Sequence, residues 1–312
     1  MPEPAIQVSV VIPTQRRLSG LETAARSVAA QSGVDAWRIE LLVVDNDQVP
    51  SARVVAERLD AEAPFPVVYV HEPRAGVAFA RNAAMAQARG AFVAFLDEDE
   101  EAHADWLAAL LSAQARFDAD VVFGPVRGRL PPDAARHRTY LERFFSREGP
   151  TEGGLIDHYY GCGDSLIRVA ALPNPRQPFG AERNHIGGED DLLFGQMKAR
   201  GARFAWAPDA WVWEDPAPGR LSLRYTLARA FAYGQGPSAA CAAASPPDRL
   251  GVAGWMAVGL GQAAAFGLLA VVKWALRAPD FAFTADRAAR GLGKTLWWGP
   301  FKVHFYGLGA TT

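Results

Sequence analysis

Two clusters of carboxylates stand where an α/β sheet would do chemistry. The first, Asp97-Glu98-Asp99-Glu100, closes the uncharged run Ala91-Phe-Val-Ala-Phe-Leu96. A run of that length, bounded by Gly90 and by charge, reads as a strand buried on both faces. Ligands of open α/β sheets collect at the carboxyl ends of such strands. Neighbouring carboxylates repel, and a hard divalent cation carrying phosphate oxygens is one group that neutralises them. The same residues also suit the first turn of a helix, because Ala104-Asp-Trp-Leu-Ala-Ala-Leu-Leu111 has a helical pattern. The second cluster is Glu189-Asp190-Asp191, set between Gly187-Gly188 and Leu192-Leu193-Phe194. A carboxylate at a cleft mouth, within hydrogen-bond reach of a substrate hydroxyl, can deprotonate it. Capping of a helix N-terminus explains that acidity equally well when the segment is read alone.

Two further sites have suitable chemistry. Arg81 lies in the helical stretch before the acidic strand, and its planar guanidinium suits bidentate contact with a diphosphate. A solvated helix surface is the alternative. Asp45, at the end of Ile39-Glu-Leu-Leu-Val-Val44, could accept hydrogen bonds from a ribose or a uracil ring nitrogen, or simply form an Asx-type turn with Asn46 and Asp47. The loop after the first strand, Pro13-Thr14-Gln15-Arg16-Arg17, contains no glycine. That disfavours a dinucleotide-binding fingerprint.

Positioning these groups requires a scaffold, and the pattern supplies one. Strands are expected at Val8–Ile12, Ile39–Val44, Val67–Val70, Ala91–Leu96 and Val121–Phe123. Helices are expected from Leu21 behind a Ser19 N-cap, at Ser51–Leu59, Gly76–Arg89 and Asp105–Phe117, and near Gly188. This alternation argues for an α/β fold with a mostly parallel, doubly wound sheet. Gly, Pro and aromatics thicken through Arg129–Gly163, as one looped wall of a cleft would require, and a short β-rich segment follows at Arg203–Trp213.

Half of the 312 residues are hydrophobic and 21% are charged, which suits a packed core. The net charge of −2 gives no basic footprint for nucleic acid. Cys162 and Cys241 show neither metal-ligand spacing nor a disulfide framework. Met1-Pro-Glu-Pro-Ala has no signal-peptide character, and a cytoplasmic chain is the expectation.

The ordered set Val8-Ser-Val-Val-Ile-Pro-Thr14, Val43-Val-Asp-Asn-Asp47, Ala80-Arg-Asn82, Phe95-Leu-Asp-Glu-Asp-Glu100 and Gly188-Glu-Asp-Asp-Leu192 resembles family 2 glycosyltransferases of the GT-A fold. Within that family the chain looks closest to the succinoglycan-biosynthesis type of β-glucosyltransferase, through Tyr69-Val-His-Glu-Pro73, Phe123-Gly-Pro-Val126 and Pro208-Asp-Ala-Trp-Val-Trp-Glu214. The resemblance implies roles. Pro13 and Thr14 would shape the nucleotide pocket, Asp45 would read uracil and Arg81 would face the diphosphate. Asp97 and Asp99 would be a D-x-D pair around Mn²⁺ or Mg²⁺. Asp190, beside Glu189, would be the catalytic base, and Arg220 and Arg229 would steady the leaving diphosphate. Relatives often carry a His near Val212-Trp213-Glu214, so Glu214 or a water would complete the metal shell here.

The Gly161-Cys-Gly-Asp164 stretch departs from a common Gly-x-Gly-Asn, and Asp164 is expected to put a charge near a bound sugar. No Gln-x-x-Arg-Trp motif is present, which implies one sugar per encounter. The implied reaction is inverting transfer from a UDP-sugar, with glucose as one candidate, to a polyprenyl-diphosphate-linked oligosaccharide. Two other classes remain open at this point. A sugar-phosphate nucleotidyltransferase would want a glycine-rich first loop, and a non-catalytic sugar-nucleotide-binding protein would not need Asp97, Asp99 and Asp190.

Residues 1–236 are read as the catalytic domain, with a nucleotide half (1–100) and an acceptor half (101–236). Residues 237–312 form a helical appendage. Within it Gly251–Val272 carries no charge, and aromatics from Trp255 to Tyr306 interleave with Lys273, Arg277, Arg287, Arg290, Lys294 and Lys302. That mixture suits either a membrane surface at the inner face of the plasma membrane or a bundle packed on the catalytic domain; a membrane-spanning helix is the further alternative.

Overall fold

The structure, a computed structural model, describes residues 5–132, 136–181 and 188–303. Gly187, Phe305 and Tyr306 lie outside the described residues. Two compact units emerge: 5–127 with 146–215, and 128–145 with 216–303.

The first unit is built on an eight-stranded sheet of order β3-β2-β1-β4-β9-β6-β10-β8. Its strands are β1 (Val8–Thr14), β2 (Ile39–Asp45), β3 (Val67–His71), β4 (Phe92–Phe95), β6 (Val121–Phe123), β8 (Gly154–Ile156), β9 (Ser165–Arg168) and β10 (Phe204–Trp206). β1 is parallel to β2 and β4, β2 to β3, and β6 to β10. Only β8 and β9 run against their neighbours. A smaller sheet joins β5 (Glu100–Ala102), β11 (Val212–Glu214) and β7 (Val126–Gly128) in the order β5-β11-β7.

The uncharged strands are apolar on both faces because both faces are covered. Val10, Ile12, Leu41 and Val43 enter one core, beneath α1 (Leu18–Ala29), α2 (Arg53–Glu62) and α4 (Trp106–Phe117). Val11, Leu42 and Val44 enter the other, with residues of α3 (Val77–Gln87) and α6 (Glu189–Ala199). The period-two alternation along each strand thus feeds two cores.

Two local expectations need correction. α1 starts at Leu18, so Ser19 lies inside its first turn and does not cap it. The acidic cluster after β4 is not the cap of α4 either. It forms a turn into β5, and α4 begins later, at Trp106, with no acid in its first turn.

The second unit contains α5 (Arg138–Phe144), α7 (Leu223–Ala243), α8 (Arg249–Ala275) and α9 (Phe281–Thr295). The compositional boundary at 236/237 falls inside the continuous α7, which includes Pro237. The contact boundary lies instead at 215/216, and 128–145 belongs with the C-terminal helices. A proline has no N–H to give, but its neighbours in α7 hold the helix through it. Residues Ser245–Asp248 separate α7 from α8, and Asp248 caps α8 by accepting from the Gly251 N–H at 2.8 Å.

Candidate active site

The parallel strands end level with one another. Thr14 is in register with Asp45, and Asp45 with His71. Glu98 ties two of these ends together, accepting from the Thr14 hydroxyl and from the Gln15 N–H at 3.0 Å. Burial pushes its carboxyl up to about 7, against the lowering pull of the Thr14 bond. The turn that presents Asp97 is closed in both directions. The Asp97 N–H donates to Glu100 Oε2 at 2.8 Å, and the Glu100 N–H donates to the Asp97 carbonyl at 3.0 Å.

Asp97 and Asp190 are brought to one place by the loop 161–164. Asp190 Oδ2 accepts from the Cys162 N–H at 3.1 Å. One residue on, Gly163 is packed so closely to Asp97 that a Cβ there would stand 2.6 Å from Oδ2. Only glycine allows that approach. Arg147 holds the loop's other side, donating to the carbonyls of Gly161, Gly163, Asp164 and Gly124 at 2.8–3.0 Å. Asp190 opens α6 behind Gly188, whose φ of +79° is the left-handed region that favours glycine.

Arg81 bridges the two acidic clusters. Its Nη1 donates to Glu189 Oε1 at 2.6 Å, and Nη2 lies 3.6 Å from Asp97 Oδ1. Arg81 and Glu189 are both buried, and Arg81 Nε has no hydrogen-bond partner among the described residues. Glu189 is therefore a buried counter-ion, while Asp190 is only half-buried. Desolvation raises Glu189 from its ordinary value, with Arg81 opposing. Asp97 is also raised, first by desolvation, with Asp99 and Asp190 adding to it and Arg81 opposing. Its side chain keeps 40% of its surface in solvent, which moderates the effect. Burial pushes the Cys162 thiol up to about 12, so this residue adds no charge to the cluster.

On the other flank Arg17 Nη1 lies 2.8 Å from Asp99 Oδ2 and 3.9 Å from Glu98 Oε1. Glu214 belongs to this flank: it pairs with Glu100 across β5 and β11, and its charge acts on Arg17. Asp97, Asp99 and Glu214, the expected metal ligands, do not form a closed cage. Among the described residues no three His, Cys, Asp or Glu side chains converge to hold an ion. The donor set suits a hard divalent cation only as a shared one, with carboxylates on one side and diphosphate oxygens and water on the other.

Two expected roles look different in place. Asp45 is fully buried and accepts from the Ala52 N–H at 2.6 Å, the Tyr69 hydroxyl at 2.9 Å and the Ser51 hydroxyl at 3.3 Å. These bonds make it the organiser of the turn into α2. Asp164 does not face a sugar. It is fully buried and accepts from Trp106 Nε1 at 2.7 Å, with Arg147 3.2 Å away. Burial pushes its carboxyl up to about 7, against the lowering pull of Arg147 and Trp106. Arg220 and Arg229 lie in the second unit, where Arg229 donates to the Tyr233 hydroxyl at 2.9 Å and stacks on its ring. Sequence reading missed the parts played by Arg17 and Arg147. Arg17 had a signal, a cation directly after the first strand; Arg147 lies in the irregular stretch and had none.

Comparison with known proteins agrees with this fold. Residues 9–174, more than half of the chain, match glycosyl transferase family 2. Succinoglycan biosynthesis protein ExoM of Rhizobium meliloti is 37% identical over 235 residues, covering 75% of each chain. Pre-mycofactocin glycosyltransferase of Mycobacterium tuberculosis is 30% identical over 252 residues, which is 78% of this chain and 48% of that one. Among solved structures, S. aureus TarS 1–349 in complex with UDP-GlcNAc superposes with a TM-score of 0.53 at 17% identity, covering 79% of this chain and 70% of that one. The same TarS fragment in complex with UDP gives 0.52 at 19% identity, over 72% and 66%. At that identity the likeness is one of fold, and the fold is GT-A. With an ordered set of motifs, a matching architecture and a relative alike over three quarters of both chains, this protein is a member of glycosyl transferase family 2.

Proposed function

We propose that the chain is an inverting glycosyltransferase that moves a sugar from a UDP-sugar to a lipid-linked oligosaccharide in exopolysaccharide or other cell-surface glycan synthesis. The observation that carries the reading is the placement of Asp190 and Asp97 against one short loop, through Cys162 N–H and Gly163. A proton acceptor and a donor-side carboxylate then flank a single reacting centre. UDP-GlcNAc and UDP are what the TarS complexes hold, and succinoglycan synthesis is the role in the ExoM name; both support the donor and product classes proposed here.

In this reading the diphosphate lies over the ends of β1 and β4, between Arg17 and Arg81, with the base toward Pro13, Thr14 and the turn that Asp45 organises. A Mn²⁺ or Mg²⁺ ion between the diphosphate and Asp97 and Asp99 would supply neutralising charge as UDP departs. The acceptor hydroxyl gives its proton to Asp190 as its oxygen attacks the anomeric carbon. The bond from that carbon to UDP breaks, UDP leaves with the electron pair, and configuration inverts. Glu189 and Arg81 hold Asp190's helix turn in place, so much of the acceleration is positional. A lipid-linked acceptor places the enzyme at the inner face of the plasma membrane.

The test is transfer from a panel of UDP-sugars to polyprenyl-diphosphate oligosaccharides, with the product's anomeric configuration read by NMR. A β-linked product from an α-linked donor, lost in Asp190→Asn while donor binding persists, is the expected result. A product that retains configuration, or full transfer by Asp190→Asn, contradicts the proposal.

A further inference from the structure

We propose that α8 lies in the plane of an anionic lipid bilayer, sunk by its outer apolar side, and does not cross the membrane. The proposal rests on the membrane reading above and is independent of the donor and of the chemistry.

By length and composition α8 could cross: it has 27 residues, and its most apolar 18-residue window has a mean hydropathy of 1.8 and is 11% buried. Its neighbour argues against a crossing. α9 runs antiparallel along the middle of α8. Thr295 Oγ1 donates to the Met256 carbonyl at 3.3 Å, Lys294 Nζ donates to Gln262 Oε1 at 3.0 Å, and Gln262 Nε2 donates to the Arg287 carbonyl at 2.9 Å. The Arg287 guanidinium lies 5.3 Å from the centre of the Phe266 ring. Gly259 and Gly291 bring the two backbones together: a Cβ on Gly259 would stand 2.6 Å from the Gly291 carbonyl oxygen. Lys294 and Arg287 are thereby fixed beside Gln262 and Phe266, near the centre of the uncharged run. In a crossing helix that level is the middle of the hydrocarbon, where cations are costly.

The in-plane arrangement removes the conflict. Gln262, the polar side chain in the run, already faces α9. The opposite side presents Leu250, Val258, Leu260, Leu268 and Val271, all exposed. Exposed cations stand at both ends and beside the middle of the helix, at Arg249, Arg277 and Arg287. A crossing helix would concentrate them at its ends; a helix lying flat puts all of them at headgroup level, facing anionic phosphates. Trp255 and Trp274 are also exposed, and indole rings favour that level.

The experiment uses the full chain. Flotation with phosphatidylcholine vesicles containing phosphatidylglycerol should carry the wild type. Leu260→Asp with Leu268→Asp should lower the bound fraction by about tenfold or more, whereas Leu155→Asp, an exposed position in the first unit, should not. Sidedness is then read in inside-out inner-membrane vesicles, with a cysteine introduced by Ser245→Cys or Pro279→Cys in a Cys241→Ser background, in which the remaining Cys162 is buried. An impermeant maleimide should label both positions in intact vesicles. If one position reacts only after detergent, α8 crosses and the proposal is overturned while the membrane reading stands. If the wild type stays with the vesicle-free fraction, or self-associates through this face, both fall.

Discussion

Arg81 Nη1 lies 2.6 Å from Glu189 Oε1, with both side chains 6% exposed. This buried pair joins α3 to the first turn of α6 and so sets where Asp190 stands. Breaking a buried pair from one side leaves an uncompensated charge, at a cost of about 3–5 kcal/mol. Arg81 would keep only the weaker contact with Asp97, 3.6 Å from Nη2, and its Nε has no hydrogen-bond partner among the described residues. Glu189→Gln should therefore lower the unfolding free energy by roughly that amount in urea titrations. A loss below about 1 kcal/mol would class the pair with exposed ones and remove its positioning role.

Arg17 and Asp99 present a different case. Their side chains are 30% and 12% exposed, and the guanidinium occupies a carboxylate that a divalent ion would also need. In the proposed mechanism the two cations would compete when no nucleotide is bound. Arg17→Ala should bind Mn²⁺ alone about tenfold more tightly than the wild type, equivalent to about 1.4 kcal/mol, while binding UDP more weakly. Mn²⁺ titration followed by electron paramagnetic resonance measures the first and calorimetry the second. Unchanged Mn²⁺ affinity would mean that Asp99 does not face the ion.

Gly163 is the third test. A methyl group there meets Asp97 Oδ2, so Gly163→Ala must shift either the loop or the carboxylate. A displacement near 1 Å at a reacting centre costs on the order of 10²-fold in rate. Turnover should fall by about that factor with a small change in melting temperature, since the loop remains held by Arg147. Near-normal turnover would separate Asp97 from the chemistry.

Several buried carboxyls give the stability a pH dependence, Asp164 and Glu98 among them. Asp164 and Glu98 are both pushed up to about 7 by burial, from ordinary values of 3.8 and 4.5. Between those limits the folded chain binds more protons than the unfolded one, so stability falls as pH rises from about 4 through about 7. Asp164→Asn keeps an oxygen for Trp106 Nε1, and Arg147 keeps its carbonyl acceptors. Melting temperatures from pH 4.5 to 8.5 should thus decline less steeply in Asp164→Asn than in the wild type. Parallel curves would show that Asp164 titrates normally.

The sheet and the acidic clusters were legible because their signals are local. Uncharged runs such as Ile39–Val44 are short, apolar and ended by charge, and that defines a buried strand and its functional end together. The roles of individual acids were less legible. Asp45 and Asp97 look alike in sequence, yet one is consumed by Ala52, Tyr69 and Ser51 while the other keeps solvent. What separates them is partners brought from elsewhere in the fold, and no spacing rule encodes those. Asp164 stands where relatives carry the Asn of Gly-x-Gly-Asn, which predicts a charge near the sugar; Trp106, 58 residues away, holds it buried. The bound of the second unit was misplaced for a related reason. A change of composition at Pro237 is conspicuous, but α7 runs through it.

The most direct test of the central claim is calorimetric titration of UDP into the full chain, with and without Mn²⁺, in the wild type and in Asp99→Ala. The account predicts binding that strengthens with Mn²⁺ in the wild type and loses that gain in Asp99→Ala. A folded wild type that binds no UDP under either condition would contradict the assignment of this cleft as a UDP-sugar site.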